Sequence, residues 1–219
     1  MAYSQVGIVN LALIKIGSKR ITAMSENSEP AIVANAIWQY IRDEVLEAKD
    51  WRFAKLRVAL AQNATTPAYG YDYAYTLPTD FIRLCRQDKT DVSVFPSGLY
   101  SEDESTGQIY LNEYYYSYKI ETISDGTLCL LSDYDNTDND LYITYIKKVT
   151  DVNKFSPSFV SALAFRLAAE MSLAITESRA KYQDMMNLYE STLKRAEAHN
   201  MSLDYQEETG SDSWESAGR

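Results

Sequence analysis

The stretch of sequence that decides the fold lies in the last third of the chain, where residues 157–199 read PSFVSALAFRLAAEMSLAITESRAKYQDMMNLYESTLKRAEAH. Apolar side chains recur there at steps of four, at Phe159, Leu163, Leu167, Met171 and Ile175. This spacing is typical of the buried face of an α-helix. Thr176-Glu177-Ser178 interrupts the pattern, and because Thr and Ser cap helices better than they fill them, we expect a break or kink there. Unbroken, the helix would be about 65 Å long at 1.5 Å per residue.

Two more helices are predicted near the start of the chain. The first begins after Ser4 and ends before Gly17, which is a helix stop signal. It is apolar on nearly all sides, so we expect it to be buried. The second opens at Pro30, which the first turn of a helix tolerates, and continues to about Lys49. We expect its core stripe to be Val33, Ile37, Tyr40 and Ile41, with Trp38 beside them.

The middle of the chain changes to a period of two, which is typical of strands. Leu56, Val58 and Leu60 alternate with more polar residues. Ser124-Asp125-Gly126 separates two further predicted strands as a tight turn, and Leu141 begins the last one. The sequence therefore predicts a small antiparallel β element between helical parts.

Together these patterns predict an α+β fold, mainly α. A helical bundle carries a small inserted antiparallel β element, and a long C-terminal helix is followed by an extended tail. We divide the chain into one discontinuous helical domain (1–61 and 150–200), a β-rich insertion (62–149) and an acidic C-terminal arm (201–219). The residues expected to pack the core are Ile37, Trp51, Phe159, Leu163 and Leu167.

Composition excludes several kinds of site. His199 is the sole histidine, and with Cys85 and Cys129 it cannot supply a four-ligand zinc site. A Ser-His-Asp triad would have to use His199, and no GxSxG motif is present. Neither GxxxxGKS/T nor GxGxxG occurs. We therefore expect no cofactor, no metal and no catalysis.

The best candidate for a membrane span, 6–16, is shorter than the roughly 20 residues required, so we expect a protein made in the cytoplasm with no membrane contact.

The charge is concentrated in one region. The 219 residues carry a net charge of -10, and residues 86–140 contain 3 basic against 12 acidic side chains. Such a surface grips nucleic acid poorly, because phosphate binding needs Lys and Arg. It could still be a surface along which DNA slides without sticking.

Two acidic clusters have chemical interpretations. The first, Asp133, Asp135, Asp138 and Asp140, has the look of a calcium loop. An EF-hand requires glycine at the sixth position, where Asp138 stands, so a solvated turn is the favoured interpretation. The second cluster contains Glu102, Asp103 and Glu104.

These three acids lie near Tyr100 and Tyr110, and paired carboxylates beside aromatics could cleave a sugar. The alternative function is therefore a carboxylate-based cell-wall or polysaccharide hydrolase. An exposed acidic loop is the favoured interpretation, since blocks of like charge are usually solvated.

Tyrosine is the compositional oddity, because 13 of the 18 tyrosines lie between Tyr69 and Tyr145. Tyrosine favours strands, but it also suits protein interfaces. A β element this small should not bury so many rings, so we expect contacts with the tail side or a neighbouring subunit through Tyr100, Tyr110, Tyr114 and Tyr116. The acidic arm offers further anchors for a partner chain at Leu203, Tyr205 and Trp214.

Several short motifs carry a family resemblance. They are Ser4 with Asn10-Leu11-Ala12-Leu13-Ile14-Lys15-Ile16-Gly17; Arg42-Asp43-Glu44-Val45-Leu46 followed by Trp51, Phe53 and Ala54; Tyr75, Leu77, Pro78 and Asp80; Tyr145, Val149-Thr150-Asp151, Phe155, Pro157 and Phe159; and Ala162-Leu163-Ala164 with Arg166-Leu167-Ala168-Ala169-Glu170. In this order they resemble the head-to-tail adaptors of short-tailed bacteriophages, also called tail tubular protein A. The resemblance covers roughly residues 4–84 and 141–200.

This resemblance implies a structural protein of the virion neck, assembled in the cytoplasm of the host bacterium. Family members form a homo-oligomeric ring, commonly of twelve copies, below the portal protein. The tail nozzle or another tail protein attaches underneath, and double-stranded DNA passes non-specifically through the lumen. The family's C-terminal extension grips the portal, which is the role expected here for Leu203, Tyr205 and Trp214.

Overall fold

The structure is a computed structural model that describes residues 3–85, 94–96, 100–102, 109–111, 118–137 and 141–204. Within these residues the fold is mixed α+β, with four helices and small antiparallel sheets. The helices are α1 (Gln5–Ile16), α2 (Glu29–Ala48), α3 (Pro157–Thr176) and α4 (Arg179–Asp204). The strands are β1 (Lys55–Leu60), β2 (Tyr73–Thr76), β3 (Phe81–Leu84), β4 (Val94–Pro96), β5 (Tyr100–Glu102), β6 (Ile109–Leu111), β7 (Tyr118–Thr122), β8 (Leu128–Ser132) and β9 (Leu141–Lys147).

The chain divides into two compact units. The helical unit contains residues Met1–Ile41 and Phe155–Arg219, and the β unit contains Arg42–Lys154. The helical unit is thus discontinuous in sequence, with the β unit inserted between α2 and α3. The division falls inside α2, whereas the sequence analysis placed it after residue 61.

The helix ends follow local signals in the sequence. At α1 the Ser4 hydroxyl accepts a hydrogen bond from the Gly7 amide at 3.0 Å, and Gly17 adopts a left-handed φ of 75° just after the last turn. The Ser156 hydroxyl caps α3 in the same way, accepting from the Phe159 amide at 3.3 Å. Each cap satisfies a backbone group that would otherwise lack a partner at the helix end.

The predicted break in the long C-terminal helix is confirmed. Glu177 adopts a left-handed conformation with φ 48°, which ends α3 and separates it from α4. The Ser178 hydroxyl then accepts from the Lys181 amide at 3.3 Å near the new helix start. Because α4 packs against α3, the two helices replace the single 65 Å rod that an unbroken pattern would give.

The core of the helical unit lies around α3, which packs against both α1 and α4. Phe159, Leu163 and Leu167 are fully buried there, as expected. Two polar contacts fix the surroundings of α1. The Asn10 side chain exchanges two hydrogen bonds with the Ile21 backbone, at 2.8 and 2.9 Å, and Lys181 Nζ donates to the Ile16 carbonyl at 2.8 Å.

Helix α3 is long and apolar enough to cross a membrane by length and composition alone. The prediction that 6–16 is the best candidate for such a span was therefore wrong. More than half of the apolar window of α3 is buried inside the unit, as in the core helix of a soluble protein. The helix also contains an ion pair between Arg166 and Glu170, at 2.5 Å.

The β unit contains two antiparallel sheets and a separate strand pair. The first sheet has the order β1-β9-β3, with β4 also paired to β9, and the second has the order β2-β8-β7. The β7–β8 connection turns at Gly126, whose φ of 84° suits glycine. Aliphatic and aromatic residues from both sheets form the main core cluster: Leu60, Tyr75, Leu77, Leu130, Tyr134, Leu141, Ile143 and Tyr145.

The core stripe predicted for α2 was partly wrong. Ile41 and Trp38 are buried, but Tyr40 is 68% exposed, and Val33 and Ile37 are only half-buried. The buried side is Ala31, Ala34, Trp38, Ile41 and Val45. Both sides of this helix are apolar, and the buried one carries the indole of Trp38, which gains most from leaving water.

Trp51, expected in the core, is buried in the β unit, where its indole N–H donates to the Val45 carbonyl at 2.7 Å.

Candidate interaction surfaces

Two of the four tyrosines predicted to contact the tail side or a neighbouring subunit lie in strands that the structure describes. Tyr100 begins β5 and Tyr110 lies in β6, where the antiparallel register places Tyr100 opposite Leu111 and Tyr110 opposite Ser101. Tyr114 and Tyr116 lie outside the described residues. The two described positions therefore lie on the same strand pair, one residue apart in register.

The predicted portal anchors lie at and beyond the end of α4. Leu203 belongs to the last turn of that helix, and Tyr205 and Trp214 lie outside the described residues. The interaction predicted for this arm stays a prediction.

The two acidic clusters are only partly described. Glu102 ends β5, while Asp103 and Glu104 lie outside the described residues, as do Asp138 and Asp140. Among the residues that the structure describes, no group of three or more His, Cys, Asp or Glu side chains could hold a metal ion.

The described half of the aspartate-rich loop is held by its own hydrogen bonds. Asp133 accepts from the Asp72 amide at 3.2 Å. Asp135 accepts from the Thr137 amide at 3.0 Å and from the Tyr73 hydroxyl at 3.2 Å. The hydrogen bonds from Thr137 lower the pKa of the Asp135 carboxyl. These contacts are those of a hydrogen-bonded turn.

The β unit buries more of its tyrosines than we expected. Of the tyrosines between residues 69 and 145 whose side chains are described, Tyr75, Tyr134 and Tyr145 are buried, and only Tyr69, at 89%, is exposed. The others are half-buried: Tyr71, Tyr73, Tyr118 and Tyr142. Five of these described rings share one cluster in the β unit: Tyr73, Tyr75, Tyr118, Tyr134 and Tyr145.

The buried tyrosines use their hydroxyl groups inside the unit. Tyr145 donates to Asp80 Oδ1 at 2.8 Å and stacks on Phe81, and Tyr75 donates to the Tyr134 carbonyl. Burial raises the pKa of Tyr75 to about 12, and burial together with Asp80 raises the pKa of Tyr145 as well. Tyr75, Leu77 and Asp80, which contribute to the family resemblance, therefore stabilise the fold.

Helix α2 carries a second apolar side that faces away from its buried one. Ile32, Val33, Ala36, Ile37 and Tyr40 form this α2 outer face; Ile32, Ala36 and Tyr40 are exposed, and Val33 and Ile37 are half-buried. At 100° per residue they cover an arc of about 140°, and at 1.5 Å per residue the stripe is about 12 Å long. Sequence reasoning missed this surface because it assigned part of the stripe to the core.

Helix α1 also leaves apolar side chains exposed. Leu11 and Ile14, which are 43% and 57% exposed, form the α1 outer face. The expectation that this helix is buried on all sides was therefore wrong, because only its opposite side is buried. Basic residues follow at the end of the helix: Lys15, Lys19 and Arg20, with Lys181 bound to the Ile16 carbonyl. Lys15 Nζ lies 3.7 Å from the centre of the Phe165 ring.

No protein-family model matches this chain, and no curated protein matches it either.

Proposed function

We propose that this chain is a structural subunit of the neck of a short-tailed phage virion, a head-to-tail adaptor without catalytic activity. Copies form a ring, of about twelve subunits in the resembling family, below the portal. Each subunit is a helical bundle with a β-rich insertion and an acidic C-terminal arm. The ring attaches the tail nozzle or another tail protein, and double-stranded DNA passes through its lumen.

The observation that carries this proposal is the pair of outer faces in the helical unit. Helices α1 and α2 bury one side each and leave a second apolar side in water. Contiguous exposed apolar surface is typical of protein–protein contacts. A subunit built to assemble has a use for such faces, whereas an enzyme active site needs a cavity with converging polar groups.

The motifs that carry the family resemblance also have physical roles in this chain. Asn10 bonds the connector after α1, Asp80 holds the Tyr145 hydroxyl, and the Trp51 indole binds the Val45 carbonyl. Each of these contacts joins parts of the fold that are separated in the sequence. The motifs therefore support a shared scaffold, which is the kind of similarity expected between structural proteins.

Assembly with the portal tests the proposal. The purified chain would be mixed with the portal of the same phage, and the masses of the complexes would be measured by native mass spectrometry. We expect a ring of the chain bound to the portal ring. A chain that remains monomeric at every concentration, with or without the portal, would contradict the proposal.

The arm can be tested separately. Deletion of 203–219 should leave a folded subunit that binds the portal at least tenfold more weakly. Replacing Tyr205 and Trp214 together by Ala should have most of the same effect, while the control replacement of Ser211 and Ser213 by Ala should have none. If the truncated chain docks normally, the arm is not the portal contact.

A further inference from the structure

From the two outer faces of the helical unit, we infer that the α2 outer face of one copy packs against the α1 outer face of the next copy. This inference rests on the proposed function, which requires copies of the chain to meet. It adds which surfaces meet and that the contact is head-to-tail. A contact between two different surfaces closes into a ring when the rotation allows, whereas a contact between identical surfaces stops at a dimer.

The two faces are alike, because each is an exposed apolar side of an α-helix. Apolar side chains on such sides interdigitate when two helices pack. Neither stripe covers the other within one chain, because Ile14, Ile32 and Tyr40 are all more than half exposed. A second copy can therefore reach both.

Charge distinguishes the head-to-tail arrangement from a contact between two α2 faces. Residues 5–20 contain three basic side chains and no acidic one, and residues 21–41 contain two acidic side chains and no basic one. Glu29 lies in line with the α2 outer face, one turn before Ile32, and is exposed. Lys19 and Arg20 are exposed beyond the end of α1. Glu177 is the acidic residue that follows α3, next to the start of α4.

Opposite charges at the rim set the partner and the register of an interface, while the apolar centre supplies most of the affinity. The basic end of α1 and the acidic start of α2 favour each other and disfavour a copy of themselves. The stripes alone are smaller than the roughly 1,000 Å² of a stable interface. We therefore expect a weak contact between two free subunits that becomes stable when the ring closes.

Cross-linking of mixed single-cysteine variants tests the arrangement. One sample would carry Tyr40→Cys, the other Ile14→Cys with an added mass tag, and a short bismaleimide would join thiols in the assembled ring. The native thiols, Cys85 and Cys129, are both buried, so the introduced cysteines are the accessible ones among the described residues. We expect a cross-linked pair from the mixture and none from either variant alone. As a control, Asn35→Cys, exposed on α2 but outside the α2 outer face, should give much less product when mixed with Ile14→Cys.

The possible outcomes separate the inference from the proposed function. A cross-link from Tyr40→Cys alone would show two α2 faces meeting and would overturn the inference. A ring that forms but gives no product from the mixture would also overturn it, while leaving the adaptor function intact. A chain that never assembles, even with the portal, would overturn both.

Substitutions provide an independent measurement. Tyr40→Asp should raise the concentration needed for ring assembly at least tenfold. Asn35→Asp, at an exposed position of the same helix outside the α2 outer face, should leave it unchanged. Glu29→Lys should weaken assembly, and adding Lys19→Glu and Arg20→Glu to the same chain should restore it. Unchanged assembly for Tyr40→Asp would overturn the inference.

Discussion

The helical unit and the β unit are stabilised in different ways. In the helical unit, α3 buries Phe159, Leu163 and Leu167 among apolar neighbours, and the Ser156 hydroxyl caps its start. In the β unit, Tyr75 and Tyr145 are buried with their hydroxyl groups hydrogen-bonded to specific acceptors. Apolar packing is not directional, whereas a buried hydroxyl is stable only where an acceptor lies at the right distance and angle. The core of the helical unit therefore depends mainly on the shape and volume of its side chains, and the core of the β unit depends also on the placement of individual acceptors.

The largest effect should come from placing a charge in the helical core. Leu163→Asp should prevent folding, because a carboxylate without a partner would be buried at a cost of several kcal/mol. Ile37→Asp, which we would have expected to be equally damaging if Ile37 lay in the core, should cost about 1–2 kcal/mol because Ile37 is half-buried. Urea denaturation monitored by circular dichroism measures both. Equal loss of stability in the two variants would mean that α2 buries a different side.

A smaller effect should follow from removing one hydroxyl in the β unit. Tyr145→Phe keeps the ring but leaves Asp80 without its donor at 2.8 Å, so the free energy of unfolding should fall by about 1–2 kcal/mol. Tyr69→Phe is the matched control, since that side chain is exposed and should change stability by less than about 0.5 kcal/mol. If the two variants are equally stable, the buried hydroxyl does not anchor the unit.

The stability of the β unit should also depend on pH in the alkaline range, because Tyr75 is buried there. Tyrosine in the unfolded chain loses its proton near pH 10, while burial keeps Tyr75 protonated in the folded chain up to about pH 12. Its contribution is therefore complete below pH 10 and is lost as the pH rises from 10 through 12. Tyr75→Phe should flatten the fall in stability across this range, as measured by denaturation at pH 9, 10, 11 and 12. An unchanged slope would argue against a buried Tyr75.

The smallest effect concerns the junction between α3 and α4. Glu177 occupies a left-handed conformation that glycine adopts without steric cost. Glycine removes this cost but adds entropy to the unfolded chain. We expect Glu177→Gly to stabilise the helical unit by a net value of about 0.5–1 kcal/mol. Arg179, which is exposed and lies in the first turn of α4, provides the control. Arg179→Gly should destabilise the helical unit, because glycine disfavours the helical conformation. Thermal denaturation of the two variants would show shifts of opposite sign.

Features encoded by neighbouring residues were predictable from the sequence. Ser4 and Gly17 bracket α1, and Thr176-Glu177-Ser178 separates α3 from α4, because caps and left-handed turns depend on the residues at those positions. The mixed α+β class follows from the change of period between these segments.

Features that depend on distant parts of the chain were not predictable. Tyr40 belongs to one of two apolar stripes on α2, and periodicity alone does not say which stripe is buried. The buried hydrogen bonds of Tyr75 and Tyr145 were not predicted, because their partners, Tyr134 and Asp80, are about 60 residues away in sequence. The interaction surface was missed for the same reason, since it consists of the apolar residues that the core leaves over.

The strand pairing also governs the order in which the chain can fold. Strand β1 pairs with β9 through residues such as Leu60 and Leu141, so this ladder closes a loop of about 80 residues. Helix α1 likewise needs α3, which is synthesised much later. Local helix formation is fast and distant pairing is slow. On a ribosome the chain would therefore complete its fold only after its last third has emerged.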